Sequence, residues 1–375
     1  MKHILFIKLG KFSHINDSVL HQLKEKFPEY KIDVFDVFDF FGTLRIRRFI
    51  SLFYLIKEYG IDFINKEKSR YDYKTWEIVT SYGFKLIKKT IRKKVLSDRQ
   101  KYIFTFQTQS MFDGSTQVIP HFLYTDSTVL ANKWYPDISL KKVLKSKKWM
   151  GLEPSIYQNA TKNFTFSTNQ SRSIIEQYGV VDEKVKCIYA GSNLSTNSLL
   201  TSTNNYTNKN ILFVGVNWER KGGDVLLAAF YELLKTIPDA TLTIVGCTPP
   251  INHPNISVLG RLPITEVEQY YQNASVFCLP TKLEPFGIAF VEAMTRKLPI
   301  VSTQIGALPD MVTDNYNGFL HHYNDYIGIS ASLIILLNDA AKCKQFGEKS
   351  LLIVNERYNW NKVGSNFKKI IRNYI

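Results

Sequence analysis

The chain has 375 residues, of which 45% are hydrophobic and 22% charged; that is about twice a usual domain length and ample for sizeable cores. Its net charge of +15 is lopsided, with 32 Lys+Arg against 19 Asp+Glu in residues 1–200 and 16 against 14 in residues 201–375. Four cysteines (Cys187, Cys247, Cys278, Cys343) lie far apart without metal-ligand spacing, which argues against a zinc or disulfide framework, and no apolar run approaches the ~20 residues of a membrane-spanning helix.

The first predicted element is a strand at His3–Lys8, since its apolar run is too short for a secretion signal. A helix around Val19–Phe27 and a strand at Lys31–Val37 follow. Asp33, Asp36 and Asp39 alternate with aromatics there and read as solvated positions at a strand end rather than metal ligands. Arg45, Arg47 and Arg48 precede an apolar stretch. Phe84–Leu96 is a helix candidate with Phe84, Ile87, Ile91 and Val95 on one face and Lys85, Lys88, Lys89, Arg92 and Lys93 over much of the rest. Further strands are expected at Tyr102–Phe106, His121–Thr125 and Asn163–Ser167, and Lys141–Trp149 places five lysines beside a tryptophan. Such basic amphipathic segments suit an anionic membrane surface. The competing reading is a solvated helix face packed on its own sheet.

A Ser/Thr/Asn-rich run at 195–208 has linker composition. Beyond it come strand Asn210–Gly215, a helix from Gly223, strands Ala240–Gly246 and Ile256–Gly260, and helix Ile264–Ala274. Strand Val276–Pro280, helix Phe286–Arg296 and strand Pro299–Thr303 complete the series. Strict alternation of strand and helix means a parallel sheet covered by helices, and such a sheet binds ligands at the carboxyl ends of its strands. The expected fold class is therefore α/β, with a first domain over 1–205, a second over 209–355 and a C-terminal helix over 356–375 packing back on the first.

No dinucleotide fingerprint, P-loop, G-x-S-x-G elbow or H-E-x-x-H is present, and the adjacent His321 and His322 chelate poorly. The informative segment runs from Thr281 to Met294. Glu284 and Glu292 stand eight apart, before and inside a helix, and Gly287 near the helix start admits a ligand close to the backbone. The first turn offers free N–H groups and partial positive charge, which suits a diphosphate. Upstream, Phe213–Asp224 leaves a strand, crosses a glycine-rich turn carrying Arg220 and Lys221, and opens a helix. Those cations can face phosphate.

With these segments the chain closely resembles glycosyltransferase family 4, retaining nucleotide-sugar transferases of the GT-B fold. The likeness extends through Val258–Gly260, Ala274–Pro280, Leu298–Thr303, Gly306–Asp310 and Asn317–Gly318, and more weakly over Ser167–Asn193. It implies two Rossmann-like domains facing each other across a cleft. It also implies that Glu284 contacts donor-sugar hydroxyls, Glu292 holds the ribose, and Phe286, Gly287 and Ile288 present backbone to the sugar and diphosphate. Lys221 neutralises the diphosphate, and Arg261 and Leu262 lie against the base. The donor would be a UDP- or GDP-sugar, with no cofactor and no divalent metal required. The acceptor would be a glycan or lipid-linked hydroxyl, and the location cytoplasmic or peripheral on the inner membrane face.

Three positions depart from the family pattern. Val216 stands where an arginine is usual, with Arg220 a candidate substitute; Lys297 stands where a glycine is usual; and the N-terminal glycine-rich loop is reduced to Leu9-Gly10-Lys11. Asp126, after strand His121–Thr125, falls where relatives often carry histidine, and either orients an acceptor hydroxyl or caps the next segment. A same-architecture epimerase or phosphorylase, a nonenzymatic relative and a basic nucleic-acid binder are the alternatives. The last explains neither the paired glutamates nor the near-neutral second half.

Overall fold

Ile4, Leu5, Phe6 and Ile7 are all fully buried, so the first strand, β1 (His3–Lys8), is covered on both faces, as parallel strands are. The computed structural model describes residues 1–12, 14–42, 48–60, 73–98, 100–136, 145–192 and 205–375. These divide into two units. The first draws on the described residues within Met1–Asn132, Ser139–Tyr189 and Trp360–Ile375, the second on those within Lys133–Ile138 and Ala190–Asn359.

In the first unit β1 is joined by β2 (Lys31–Asp36), β3 (Tyr102–Thr108), β4 (His121–Thr125), β5 (Lys162–Thr165) and β6 (Val185–Cys187). The order is β2-β1-β3-β4-β5-β6, parallel throughout. The predicted helix near residue 19 begins at Ile15, because Ile15 and Asn16 already turn inward. Helix Trp360–Ile371 belongs to this unit: the Phe367 ring lies 4.9 to 5.3 Å from those of Phe106, Tyr124 and Phe164. Gly364 lets the same helix lie close to helix Ile15–Lys26, since a Cβ there would meet the Gln22 side chain at 2.1 Å.

Helix Ser81–Leu96 turns its apolar face inward. Phe84, Ile87, Ile91 and Val95 are all buried in the core of the first unit, so this apolar face is already occupied. Its start is fixed by Thr80, whose hydroxyl accepts from the Gly83 amide at 2.9 Å. Trp149 is fully buried as well. Arg45, Arg47, Lys141 and Lys142, the side chain of Arg48, and the run 195–204 lie outside the described residues.

The second unit holds β7 (Asn210–Val214), β8 (Thr241–Val245), β9 (Ile256–Gly260), β10 (Val276–Leu279), β11 (Ile300–Thr303) and β12 (Gly318–His321). Their order is β12-β11-β10-β7-β8-β9. The chain winds outward from β7 through β8 to β9, returns to pair β10 beside β7, and winds the other way. The reversal makes a topological switch point between β7 and β10, from which the chain continues in opposite directions across the sheet. No single helix among the described residues is long and apolar enough to cross a membrane.

Candidate functional site

The loop after β7 runs from Gly215 to Gly222 as a tight self-bonded turn. Lys221 donates its amide to the Asn217 carbonyl (3.0 Å), and the Asn217 side chain accepts from the Arg220 amide (2.7 Å). Gly222 has φ +71°, and a Cβ there would lie 1.8 Å from the Pro280 carbonyl oxygen, so only glycine lets the two loops touch. The loop after β10, Pro280–Gly287, is laced to the first by backbone. The Lys282 amide donates to the Arg220 carbonyl at 2.9 Å, and the Arg220 guanidinium donates to the Leu283 carbonyl at 2.9 Å.

This lacing brings Lys221 to Glu284. Their side chains form an ion pair, both residues buried, linking loops 63 positions apart in sequence. Burial holds the Lys221 ammonium below the usual lysine range, and the Glu284 carboxylate pulls in the opposite direction. The Glu284 carbonyl accepts from the Ala307 amide at 3.2 Å, and Gly306 (φ +54°) passes so close that a Cβ would lie 2.1 Å from that oxygen. Sequence reasoning gave the Gly306–Asp310 segment no role; its turn clamps the backbone of Glu284.

Gly287 adopts φ +96° and caps helix Ile288–Thr295, two residues later than the predicted start. A Cβ there would meet the Glu284 side chain at 3.1 Å, so the glycine keeps the space beside that carboxylate open. The first-turn amides, beginning at Ile288, point out of the helix at this place. Phe286 is buried, its ring 6.1 Å from that of Tyr358.

Glu292 lies within the same helix, buried, and accepts a hydrogen bond from the Tyr271 hydroxyl at 3.1 Å. Burial pushes its carboxyl up to about 7, with the Tyr271 bond opposing. Tyr271 is a fully buried partner that the sequence did not single out. Arg261 and Leu262 follow β9, the edge strand three places from β10. At the usual strand spacing that is about 14 Å from β10, the span of an elongated ligand laid along the strand ends. Arg261 is exposed and Leu262 half-buried. Val216 is 63% exposed at the carboxyl end of β7.

In the first unit Asp126 directly follows β4, half-buried. The next helical turn, Leu130–Trp134, takes its capping bond from Thr128, whose hydroxyl accepts from the Ala131 amide at 3.1 Å. Gly10 (φ +52°) is held within its own unit. Its amide donates to Asp36 at 3.0 Å, and its carbonyl accepts from Asn16 at 2.8 Å.

Two doubly wound parallel sheets, one with a polar pair built across its switch point and a glycine-capped helix beside it, define the GT-B class of fold. Residues 201–351 match the family described as glycosyl transferases group 1. An uncharacterized glycosyltransferase of Methanocaldococcus jannaschii is 28% identical over 236 residues, 59% of this chain and 66% of that protein. A GDP-mannose-dependent alpha-(1-6)-phosphatidylinositol monomannoside mannosyltransferase of Mycolicibacterium smegmatis is 26% identical over 170 residues, 40% of this chain and 44% of the relative. The chain thus spans from under half to about two-thirds of the length of these relatives. Among solved structures, sucrose-phosphate synthase from Thermosynechococcus elongatus aligns over 100% of this chain and 99% of its own at 15% identity, with a TM-score of 0.67. Anabaena HepE in complex with UDP-glucose aligns over 100% of both chains at 13% identity, with a TM-score of 0.62. These two share the fold.

Proposed function

We propose that the chain is a retaining glycosyltransferase that moves a sugar from a nucleoside-diphosphate sugar to a hydroxyl acceptor. The observation that carries this reading is the buried Lys221–Glu284 pair at the β7/β10 switch point, beside the amino end of helix Ile288–Thr295. A lysine, a carboxylate and a helix amino end at one point match a sugar diphosphate. The amides and Lys221 take the phosphates, and Glu284 accepts hydrogen bonds from sugar hydroxyls. Glu292 takes the ribose and Arg261 and Leu262 the base. HepE is described with UDP-glucose and the mycobacterial relative as GDP-mannose-dependent, so UDP- and GDP-sugars are the donors to try first.

In the reaction the bond from the anomeric carbon to the phosphate oxygen breaks, its electron pair staying on that oxygen. The acceptor oxygen bonds to the same face of the carbon, and its proton passes to the departing phosphate. Charge grows on the diphosphate as the bond breaks, so the Lys221 cation stabilises the transition state more than the ground state. Arg220 is the second cation of the loop. These two supply the positive charge for which other folds use a divalent metal, and no metal or cofactor enters the scheme. Asp126 is assigned to the acceptor side, orienting a hydroxyl. A lipid-linked or glycan acceptor, cytoplasmic and peripheral to the inner membrane face, fits the basic first half and the phosphatidylinositol-directed relative.

The test is transfer from UDP-glucose or GDP-mannose to a lipid extract in EDTA, with product anomeric configuration read by NMR. Retained configuration supports the reading. Donor turnover without any transferred sugar favours an epimerase of the same architecture.

A further inference from the structure

Helix Arg48–Tyr59 of the first unit presents its apolar side outward. Its inward side holds the buried Ser51 and Leu55. Glu58, its one acidic residue, accepts from the Ser81 amide (3.0 Å) and the Ser146 hydroxyl (2.7 Å). The Tyr59 hydroxyl donates to the Val79 carbonyl at 2.6 Å, and Tyr54 stacks on Tyr82 with ring centroids 5.1 Å apart. What faces solvent is Phe49, 78% exposed, Phe53, 59%, and Ile50 and Ile56, 46% each. Three of these, Phe49, Phe53 and Ile56, recur at four- and three-residue spacing along one stripe. Clustered exposure of this kind marks an interaction surface, whereas isolated exposed apolar residues do not.

The charge around the stripe says what covers it. Lys57 lies on the exposed side, its ammonium 5.6 Å over the Phe53 ring. The neighbouring helix Ser81–Leu96, reached through the Glu58–Ser81 bonds, exposes Lys85, Lys89, Arg92, Lys93 and Lys94 and has no acidic residue. A second copy of the chain would bring the same positive charge, and like charges repel. A surface of anionic headgroups over hydrocarbon satisfies both features, with aromatic and aliphatic side chains entering the headgroup boundary and lysines meeting phosphates.

We infer that helix Arg48–Tyr59 is a membrane-docking element, inserting Phe49, Phe53 and Ile56 into an anionic bilayer surface. This names the surface behind the peripheral-membrane reading above and extends it. The docking is measured without any sugar donor, so it stands or falls separately from the transferase chemistry.

The experiment is co-sedimentation of the full chain with phosphatidylcholine vesicles and with phosphatidylcholine vesicles containing 30% phosphatidylglycerol. The chain is expected to pellet with the anionic vesicles and not the neutral ones. Phe49→Ser/Phe53→Ser should lower the bound fraction at least about tenfold with an unchanged melting temperature, since both side chains are exposed. Lys85→Glu/Lys89→Glu should weaken binding and reduce its salt sensitivity. Absence of binding, or binding untouched by the Phe49/Phe53 changes, overturns the inference. A wild-type dimer in sedimentation velocity that the same changes convert to monomer overturns it too, by assigning the stripe to a second copy.

Discussion

Lys221 and Glu284 form a buried ion pair between the loops leaving β7 and β10, the strands that flank the topological reversal of the second sheet. Neither loop could hold its charge there alone, because an unpartnered ion in such a site is costly to bury. The pair satisfies both groups and sets lysine and carboxylate side by side at the proposed sugar-diphosphate site.

Breaking the pair from one side should therefore cost stability. Glu284→Leu or Lys221→Met alone leaves one buried charge and should destabilise the protein by about 3–5 kcal/mol. The double variant Lys221→Met/Glu284→Leu should recover most of that stability yet show no donor binding. Chemical denaturation of all three with calorimetric titration of donor checks both statements.

The raised carboxyl of Glu292 predicts a pH-dependent gain on neutralising it. Its folded value of about 7 lies above the ordinary 4.5, so its favourable contribution is present below 4.5 and is lost as pH rises through 7. At pH 8 that loss amounts to about 3 kcal/mol, at 1.36 kcal/mol per pH unit. Glu292→Gln should accordingly be more stable than wild type at pH 8 and nearly equal to it at pH 4.5. Melting curves across that range test the sign directly.

Lys297 occupies a left-handed position, φ +56°, just beyond helix Ile288–Thr295. A residue with a Cβ pays for that conformation, and its 3.0 Å ion pair with the half-exposed Glu348 returns little. Lys297→Gly should stabilise the second unit by about 0.5–1 kcal/mol after the extra chain entropy of glycine. A melting temperature unchanged or lowered would show that the Glu348 pair outweighs the strain.

Val216, 63% exposed at the end of β7, stands where the resemblance places an arginine. Val216→Arg should leave stability within about 0.5 kcal/mol and tighten donor binding about tenfold, which is 1.4 kcal/mol. Unchanged affinity would mean that the loop already meets the diphosphate charge, with Arg220 as the source.

The second sheet was legible because its strands are short apolar runs separated by helical spacing, and their ends fall within two residues of expectation. The edge strands β6 and β12 escaped: three and four residues with partly polar patterns give periodicity too little to act on. The eight-residue spacing of Glu284 and Glu292 marked the site, but their partners lay beyond reach. Tyr271 and Lys221 are 21 and 63 residues away, and only the crossover order of the strands brings them in. Helical periodicity likewise reveals two faces without saying which is inward. Helix Ser81–Leu96 buries its apolar face, whereas Arg48–Tyr59, legible in the sequence only as an apolar stretch, exposes Phe49, Phe53 and Ile56.

The most direct test of the central claim is a thermal-shift titration of wild type and Glu292→Ala with UDP-, GDP- and ADP-sugars in EDTA. A donor at 100 times its dissociation constant should stabilise the wild type by about 2.7 kcal/mol. A shift with one nucleotide class, lost in Glu292→Ala, is the expected result. No shift with any of them, or an equal shift in both proteins, would contradict a nucleotide-sugar site at the β7/β10 switch point.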